Sequence, residues 1–451
     1  MALGKLSVND RSDGFTLDGK PWFWLADTCW SAFTSIELSD WKYYLARRAE
    51  QGINVLQINT LPQWDRCRPD LGIYPYASED GTVLDWATPN EAYWDRAREM
   101  CRMAVEHGIR PALVLLWCNY IPGTWGSKVS EKLGAPLLPF EEVRTHVERV
   151  VKHLGEFDPV YVVTGDTDFK DEEAIRYYEE GLSAICELAP NALRCMHINR
   201  GNRTIPEAFV DRLDFYMYQP GHNYEGQYEA WKLPEDFCSQ YPKKPLLNSE
   251  PCYEQMGASR NVYWRFSAQD CRARAWSGIL SGATAGLTYG AHGVWNWQTA
   301  ASEGSVLGEG FDMPFRWQSA CNSPACGISA WCPRCLTPSP REANSQSSLR
   351  RSCSMMLASR YELPGLETLL SHICHVQQRL GSTVRLSIWR RSRLTWKTSE
   401  LPICRCAWTR RPLRRVSSGI PSRMTRLWSS SRSREYRDRA RTKSNRSVVK
   451  R

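Results

Sequence analysis

Between residues 22 and 289, short runs of apolar and β-branched residues alternate with amphipathic stretches, eight times over. The apolar runs predict strands at 22–26, 53–58, 109–117, 160–166, 193–198, 215–218, 246–249 and 286–289. The stretches between them predict helices at 40–50, 93–106, 140–154, 172–188, 205–213 and 268–280. Ser39 can cap the first helix, and Gly52, Gly108 and Gly155 follow the ends of the first three. Eight strand–helix units within about 300 residues fit an α/β fold of the (β/α)8 type, the TIM barrel, better than an open doubly wound sheet. No glycine-rich phosphate loop follows any of these strands, which argues against a nucleotide-binding sheet.

The chain has 451 residues, 42% of them hydrophobic and 20 of them Trp, enough for a large core and an aromatic-lined cleft. No apolar run reaches membrane-spanning length, and the opening Met1-Ala2-Leu3-Gly4-Lys5 lacks the apolar core of an export signal. The sequence therefore reads as soluble and cytoplasmic, with its 17 Cys expected as reduced thiols. The net charge of +9 conceals an asymmetry. Residues 1–320 carry 31 Lys and Arg against 43 Asp and Glu, whereas residues 321–451 carry 27 against 6. Of those 27, only Lys397, Lys443 and Lys450 are lysines, and Ser, Arg, Cys and Pro dominate the segment. So abrupt a shift divides the chain into a barrel domain at 1–320 and a tail at 321–451 that is expected to be poorly ordered.

Translation in a shifted frame explains such a tail. Codons for Cys321 to Ser329, read one nucleotide earlier, can spell Leu-Gln-Phe-Pro-Gly-Val-Trp-Asp-Phe, a string of ordinary globular character. Sequencing the gene across the Ala320 codon tests this, and an uninterrupted frame there refutes it. A basic tail that binds nucleic acid is the competing explanation, and it predicts a steep salt dependence of affinity. Composition favours the shifted frame, so neither a nucleic-acid nor a membrane partner is expected.

In a (β/α)8 barrel the reactive groups collect at the C-terminal ends of the strands. Those positions hold Asp27 and Trp30, Gln57 and Asn59, Trp117 and Asn119, then Asp166, His197, Tyr218 and Gln219. The last two strands contribute Glu250 and Tyr253, then Tyr289, His292, Trp295 and Trp297. Amides, carboxylates and aromatic rings predominate, and no strand ends in a cationic cluster. Such a lining suits a neutral carbohydrate, whose hydroxyls take hydrogen bonds and whose ring faces pack on aromatic rings. A phosphate substrate would call for Lys or Arg.

Two apolar runs end in a carboxylate: Val160-Tyr161-Val162-Val163-Thr164-Gly165-Asp166 and Pro245-Leu246-Leu247-Asn248-Ser249-Glu250. At one barrel mouth, one acid could protonate a departing oxygen while the other stays ionised beside the anomeric carbon. Asp168 competes with Asp166 for this role, and Glu254 lies further into the loop after Glu250. Asp27 can bind hydroxyls or cap a helix, and His197 is a candidate ligand contact. No HxH or HExxH spacing occurs, so no metal site is expected, and nothing calls for a cofactor. Cys332-Pro333-Arg334-Cys335 has zinc-ligand spacing but falls within the segment of doubtful frame.

On these residues the chain resembles the apiosidase-like glycoside hydrolases. Phe15-Thr16-Leu17-Asp18-Gly19-Lys20-Pro21 with Trp24-Leu25-Ala26-Asp27-Thr28 looks like the opening of that family. Gly165-Asp166, Ser249-Glu250-Pro251-Cys252-Tyr253-Glu254 and Tyr289-Gly290-Ala291-His292-Gly293-Val294-Trp295 match its later motifs. The resemblance spans roughly residues 8–320. It implies a (β/α)8 domain that hydrolyses glycosidic bonds with retention, Asp166 serving as acid/base and Glu250 as nucleophile. Members often carry a C-terminal β-sandwich, from which this tail departs. The alternative is a carbohydrate-binding barrel without turnover.

Overall fold

The computed structural model describes residues 3–259, 262–303 and 313–329. Eight parallel strands share one sheet: β1 (Trp24–Thr28), β2 (Val55–Asn59), β3 (Arg110–Trp117), β4 (Val160–Gly165), β5 (Arg194–Cys195), β6 (Tyr216–Tyr218), β7 (Leu246–Asn248) and β8 (Gly286–Tyr289). Each overlaps its expected range. Their order is β5-β4-β3-β2-β1-β8-β7-β6, with β8 paired to β1 from Gly286–Trp24 to Tyr289–Asp27. The sheet thus curls into a nearly closed (β/α)8 barrel. The seam between β5 and β6 is bridged at Asp214, whose N–H donates to Arg194 O (3.0 Å) and whose Oδ2 accepts from Arg194 N (2.8 Å). All eight residues of β3 are buried, as expected of parallel strands covered on both faces.

The surrounding helices are α1 (Leu38–Glu50), α2 (Glu91–Glu106), α3 (Glu142–Leu154), α4 (Glu172–Leu188), α5 (Glu207–Val210), α6 (Glu229–Gln240) and α7 (Ala268–Leu280). Asp171 caps α4 by accepting from Glu173 N (2.9 Å), and Ser267 with Asp270 forms a capping box on α7. Helix α6 is absent from the expected set, because Pro234 lies inside it and reads as a break.

Ahead of the barrel, Leu6–Val8, Phe15–Leu17 and Lys20–Trp22 form an antiparallel sheet that the sequence reading did not include. Its second turn is Asp18-Gly19, with φ of 50° and 74°, a two-residue hairpin loop of the type Asp-Gly favours. Trp22 therefore ends this hairpin and the barrel strand begins at Trp24. Phe15 packs edge-on against Phe215 at 5.2 Å and tilted against Trp24 at 6.2 Å, sealing the N-terminal floor of the barrel.

Packed structure continues past residue 320. Trp317–Cys321 and Pro324–Ser329 are helical, and Cys321, Ala325 and Cys326 are buried. Arg48 on α1 and Gln51 just after its end both donate to Cys321 O, at 2.9 and 3.1 Å. Residues 330–451 lie outside the described residues, and with them the rest of the expected tail and its Cys332–Cys335 spacing. No helix among the described residues is long and apolar enough to cross a membrane.

Candidate active site

Strand β4 delivers the first carboxylate. A Cβ on Gly165 would lie 2.3 Å from Trp117 Cε3, so glycine is what lets the indole rest on the strand end. Asp166 then turns into the left-handed region at φ 57°, a conformation aspartate tolerates and one that breaks the in–out alternation of the strand. Trp125 holds the turn, its Nε1 donating to Asp166 O at 2.7 Å.

Strand β7 delivers the second. Glu250 follows Asn248-Ser249, and its N–H donates to Asn248 Oδ1 at 3.2 Å. Three side chains converge on its carboxylate. Oε2 accepts from Gln219 Nε2 (2.6 Å) and faces His197 Nε2 (3.0 Å), while Oε1 faces His222 Nε2 at 2.9 Å. His197 Nδ1 lies 2.9 Å from the Ser249 hydroxyl, which itself donates to Tyr218 O at 3.1 Å.

Electrostatics drive the two carboxyls apart. Burial alone would raise Glu250, but the hydrogen bonds and charges of His222 and His197 outweigh it and hold the carboxyl well below the usual range. Asp166 lacks that compensation. Burial, and then the charge of Glu250, push it up from 3.8 to about 6, against smaller opposing effects of His197, Gln219 and His222.

Aromatic rings wall the site. Trp30 meets Trp117 at 5.1 Å and His197 at 5.5 Å, and its Nε1 donates to Tyr253 Oη at 3.0 Å. Tyr253 lies 4.2 Å from the His222 ring and 6.4 Å from Trp295, and His292 is parallel to Trp295 at 6.5 Å. Burial and the Glu250 charge push the Tyr253 hydroxyl well above its ordinary value, keeping it a proton donor. Trp117 Nε1, Trp295 Nε1 and Asn119 Oδ1 are buried without a protein partner.

The structure thus gathers Asp166, Glu250, Trp30, Trp117, His197, Gln219 and Tyr253, with Trp295 and His292 behind Tyr253. It separates four residues expected among them. Asp27 faces the helix layer, its Oδ2 accepting from Arg48 Nε (2.5 Å) and Tyr44 Oη (2.6 Å) of α1. Tyr218 points outward as well and donates to Ala230 O in α6 at 3.1 Å. Gln57 is consumed inside the barrel, donating to Ser249 O and accepting from Thr288 Oγ1, both at 3.0 Å. Asn59 folds its own loop, donating to Gln63 Oε1 (2.9 Å) and accepting from Leu61 N (3.1 Å).

The rivals are engaged elsewhere. Asp168 pairs with Lys170 at 2.7 Å, and Glu254 accepts from Tyr289 Oη (2.6 Å) and Ala325 N (2.9 Å). His222 is the residue the sequence reading missed. It sits three positions past Gln219, after Pro220-Gly221, where a strand-end inventory stops short. An imidazole in the loop after β6 was the available signal.

Residues 12–337 match the family described as Apiosidase-like, catalytic domain. No curated protein sequence matches the chain. Among solved structures, one described as a glycoside hydrolase aligns with a TM-score of 0.58 at 22% identity, over 73% of this chain and 74% of that one. A glycoside hydrolase family 5 structure from Bacteroides vulgatus aligns with a TM-score of 0.59 at 21% identity, over 73% and 70%. At these identities the structural likeness speaks for the shared fold. The family match covers well over half of the sequence and every residue of the cluster around Glu250: the chain belongs to the apiosidase-like catalytic domain family, and is a glycoside hydrolase.

Proposed function

We propose that the protein cleaves its glycoside with retention, Asp166 acting as acid/base and Glu250 as nucleophile. The observation that carries this reading is the opposite displacement of two carboxyls in one cleft. Asp166, pushed up to about 6, can hold a proton until the glycosidic oxygen leaves. Glu250, kept ionised by His197 and His222, can attack the anomeric carbon. In the first step the Glu250–carbon bond forms as the glycosidic bond breaks, and the Asp166 proton goes to the departing oxygen. In the second, Asp166 takes a proton from water, whose oxygen displaces Glu250 from the same carbon. Two inversions return the original configuration.

The mutual influence of the two acids supports retention over inversion. Gln219 donates to Glu250 at 2.6 Å, and Gln219 and the Glu250 charge both act on the Asp166 carboxyl. Retaining enzymes hold such a pair about 5–5.5 Å apart, whereas inverting ones leave room for water at about 6.5–9.5 Å. The rings of Trp30, Trp117 and Tyr253 favour a sugar as the bound group.

The test uses a panel of neutral plant-type glycosides and oligosaccharides, with product anomers read by NMR before mutarotation. Wild type is expected to release the anomer it was given. Glu250→Ala is expected to lose about a thousandfold in kcat, and added azide should restore turnover as a glycosyl azide of opposite configuration. Full activity in Glu250→Ala refutes the assignment.

A further inference from the structure

Apart from the rings around Glu250, the mouth carries an aromatic pair that this mechanism leaves unused. Trp64, in the loop after β2, and Trp125, in the loop after β3, meet edge to face with centroids 6.0 Å apart and planes at 83°. Both are partly exposed, unlike the buried Trp30 and Trp117. Trp125 is also the residue whose Nε1 holds the Asp166 carbonyl. The pair therefore stands on the acid's side of the cleft. A general acid sits beside the departing oxygen, so whatever surrounds Asp166 meets the leaving group and not the sugar that becomes attached to Glu250.

The loops that present the two rings are fixed in place. Arg66 Nη1 donates to Gln63 O (2.9 Å), spanning Trp64, and Tyr120 Oη donates to Pro62 O (2.8 Å) just before it. Thr124 Oγ1 donates to Ile121 O (2.8 Å) and accepts from Ser127 N (3.0 Å), bracketing Trp125. A Cβ on Gly126 would lie 2.6 Å from Asn119 N, so the loop can come this close only with glycine there. Rigid rings on rigid loops bind a flat, rigid partner at little entropic cost. The apolar face of a pyranose or furanose ring is such a partner.

We propose that Trp64 and Trp125 form a leaving-group subsite that stacks a neutral sugar ring, so that the enzyme cuts one saccharide from another and is not tuned to glycosides of small alcohols. The inference rests on Asp166 being the acid. Two substrates separate the possibilities: the panel oligosaccharide that wild type cleaves best, and the glycosyl fluoride of the sugar it releases. Fluoride leaves without protonation and is too small to touch the platform. Trp64→Ala, which leaves the Trp125–Asp166 contact in place, is expected to lose about tenfold or more in kcat/KM on the oligosaccharide. Its rate on the fluoride should stay within about twofold of wild type, and Trp64→Phe should recover most of the loss. An equal loss on both substrates, or no loss on either, overturns the platform. Asp166→Asn serves as the control for the acid, losing kcat/KM on the oligosaccharide and keeping it on the fluoride, whose steady turnover then slows at the glycosyl-enzyme because the base is gone too; if kcat/KM is kept on both, the acid assignment falls while the Trp64 result still stands or falls by itself. A panel on which wild type is silent overturns the catalytic reading and this inference with it.

Discussion

Replacing Glu250 with Gln removes a negative charge beside Asp166 while keeping one acceptor oxygen, which can serve Gln219 and His197 or His222 but not all three. Burial is the largest cause of the rise of Asp166 from 3.8 to about 6, and the Glu250 charge is the next. At the roughly 5 Å spacing of a retaining pair, two unit charges at an effective dielectric constant of about 20 interact by about 3 kcal/mol, worth roughly 2 pH units. Burial is the larger cause of the rise, and His197, Gln219 and His222 oppose both. Asp166 is therefore expected to titrate lower in Glu250→Gln than in wild type, by at most roughly 2 units. Carbon-13 NMR of the aspartate carboxyls, with Asp166→Asn assigning the resonance, measures this directly. If Asp166 titrates at or above its wild-type value in the variant, the coupling between the two acids is refuted. Wild-type activity on unactivated glycosides should correspondingly decline as pH rises through about 6, where Asp166 loses its proton. The same drop serves the proposed chemistry. Esterified Glu250 carries no charge, so Asp166 becomes easier to deprotonate and more apt as a base when water must be activated.

Two further outcomes follow from the packing. Arg48→Met leaves Asp27 charged and without its guanidinium partner in a fully buried site, which should cost about 3–5 kcal/mol in chemical denaturation while leaving kcat of the folded fraction unchanged. Gly165→Ala should push Trp117 off the strand end and lower kcat/KM well before it lowers Tm appreciably; unchanged kinetics would mean that the contact between Trp117 and the β4 end is dispensable.

How legible each part was in the sequence depended on which physical signal it left. The barrel strands read clearly because burial on both faces makes them continuous apolar runs, as in Arg110–Trp117. That same double burial hides which way each residue points. Asp27 and Tyr218 sit at strand ends as expected, yet both face the helix layer, and an all-apolar strand has no polar face to reveal its phase. Gln57 points inward as expected, but its amide is committed to Ser249 and Thr288, a fact of three strands meeting that no single segment records. Asp166 and Glu250 were legible because a carboxylate ending an apolar run is rare and costly unless something compensates it. His222 was not, since it lies beyond the strand in a loop whose path Pro220-Gly221 conceals. The N-terminal sheet escaped for another reason: strands of three residues are too short to establish their two-residue alternation.

The seam between β5 and β6 acquires a meaning from what stands just beyond it. His197 follows β5 and Gln219 follows β6, so the two groups on Glu250 Oε2 belong to opposite banks of the one barrel joint that carries no strand ladder among the described residues. Glu250 works there as a rivet, its charge drawing both banks together. On the proposed pathway that charge disappears whenever Glu250 is glycosylated and returns with hydrolysis. Each turnover would then slacken and refasten the joint, making the barrel's least bonded edge keep time with its chemistry.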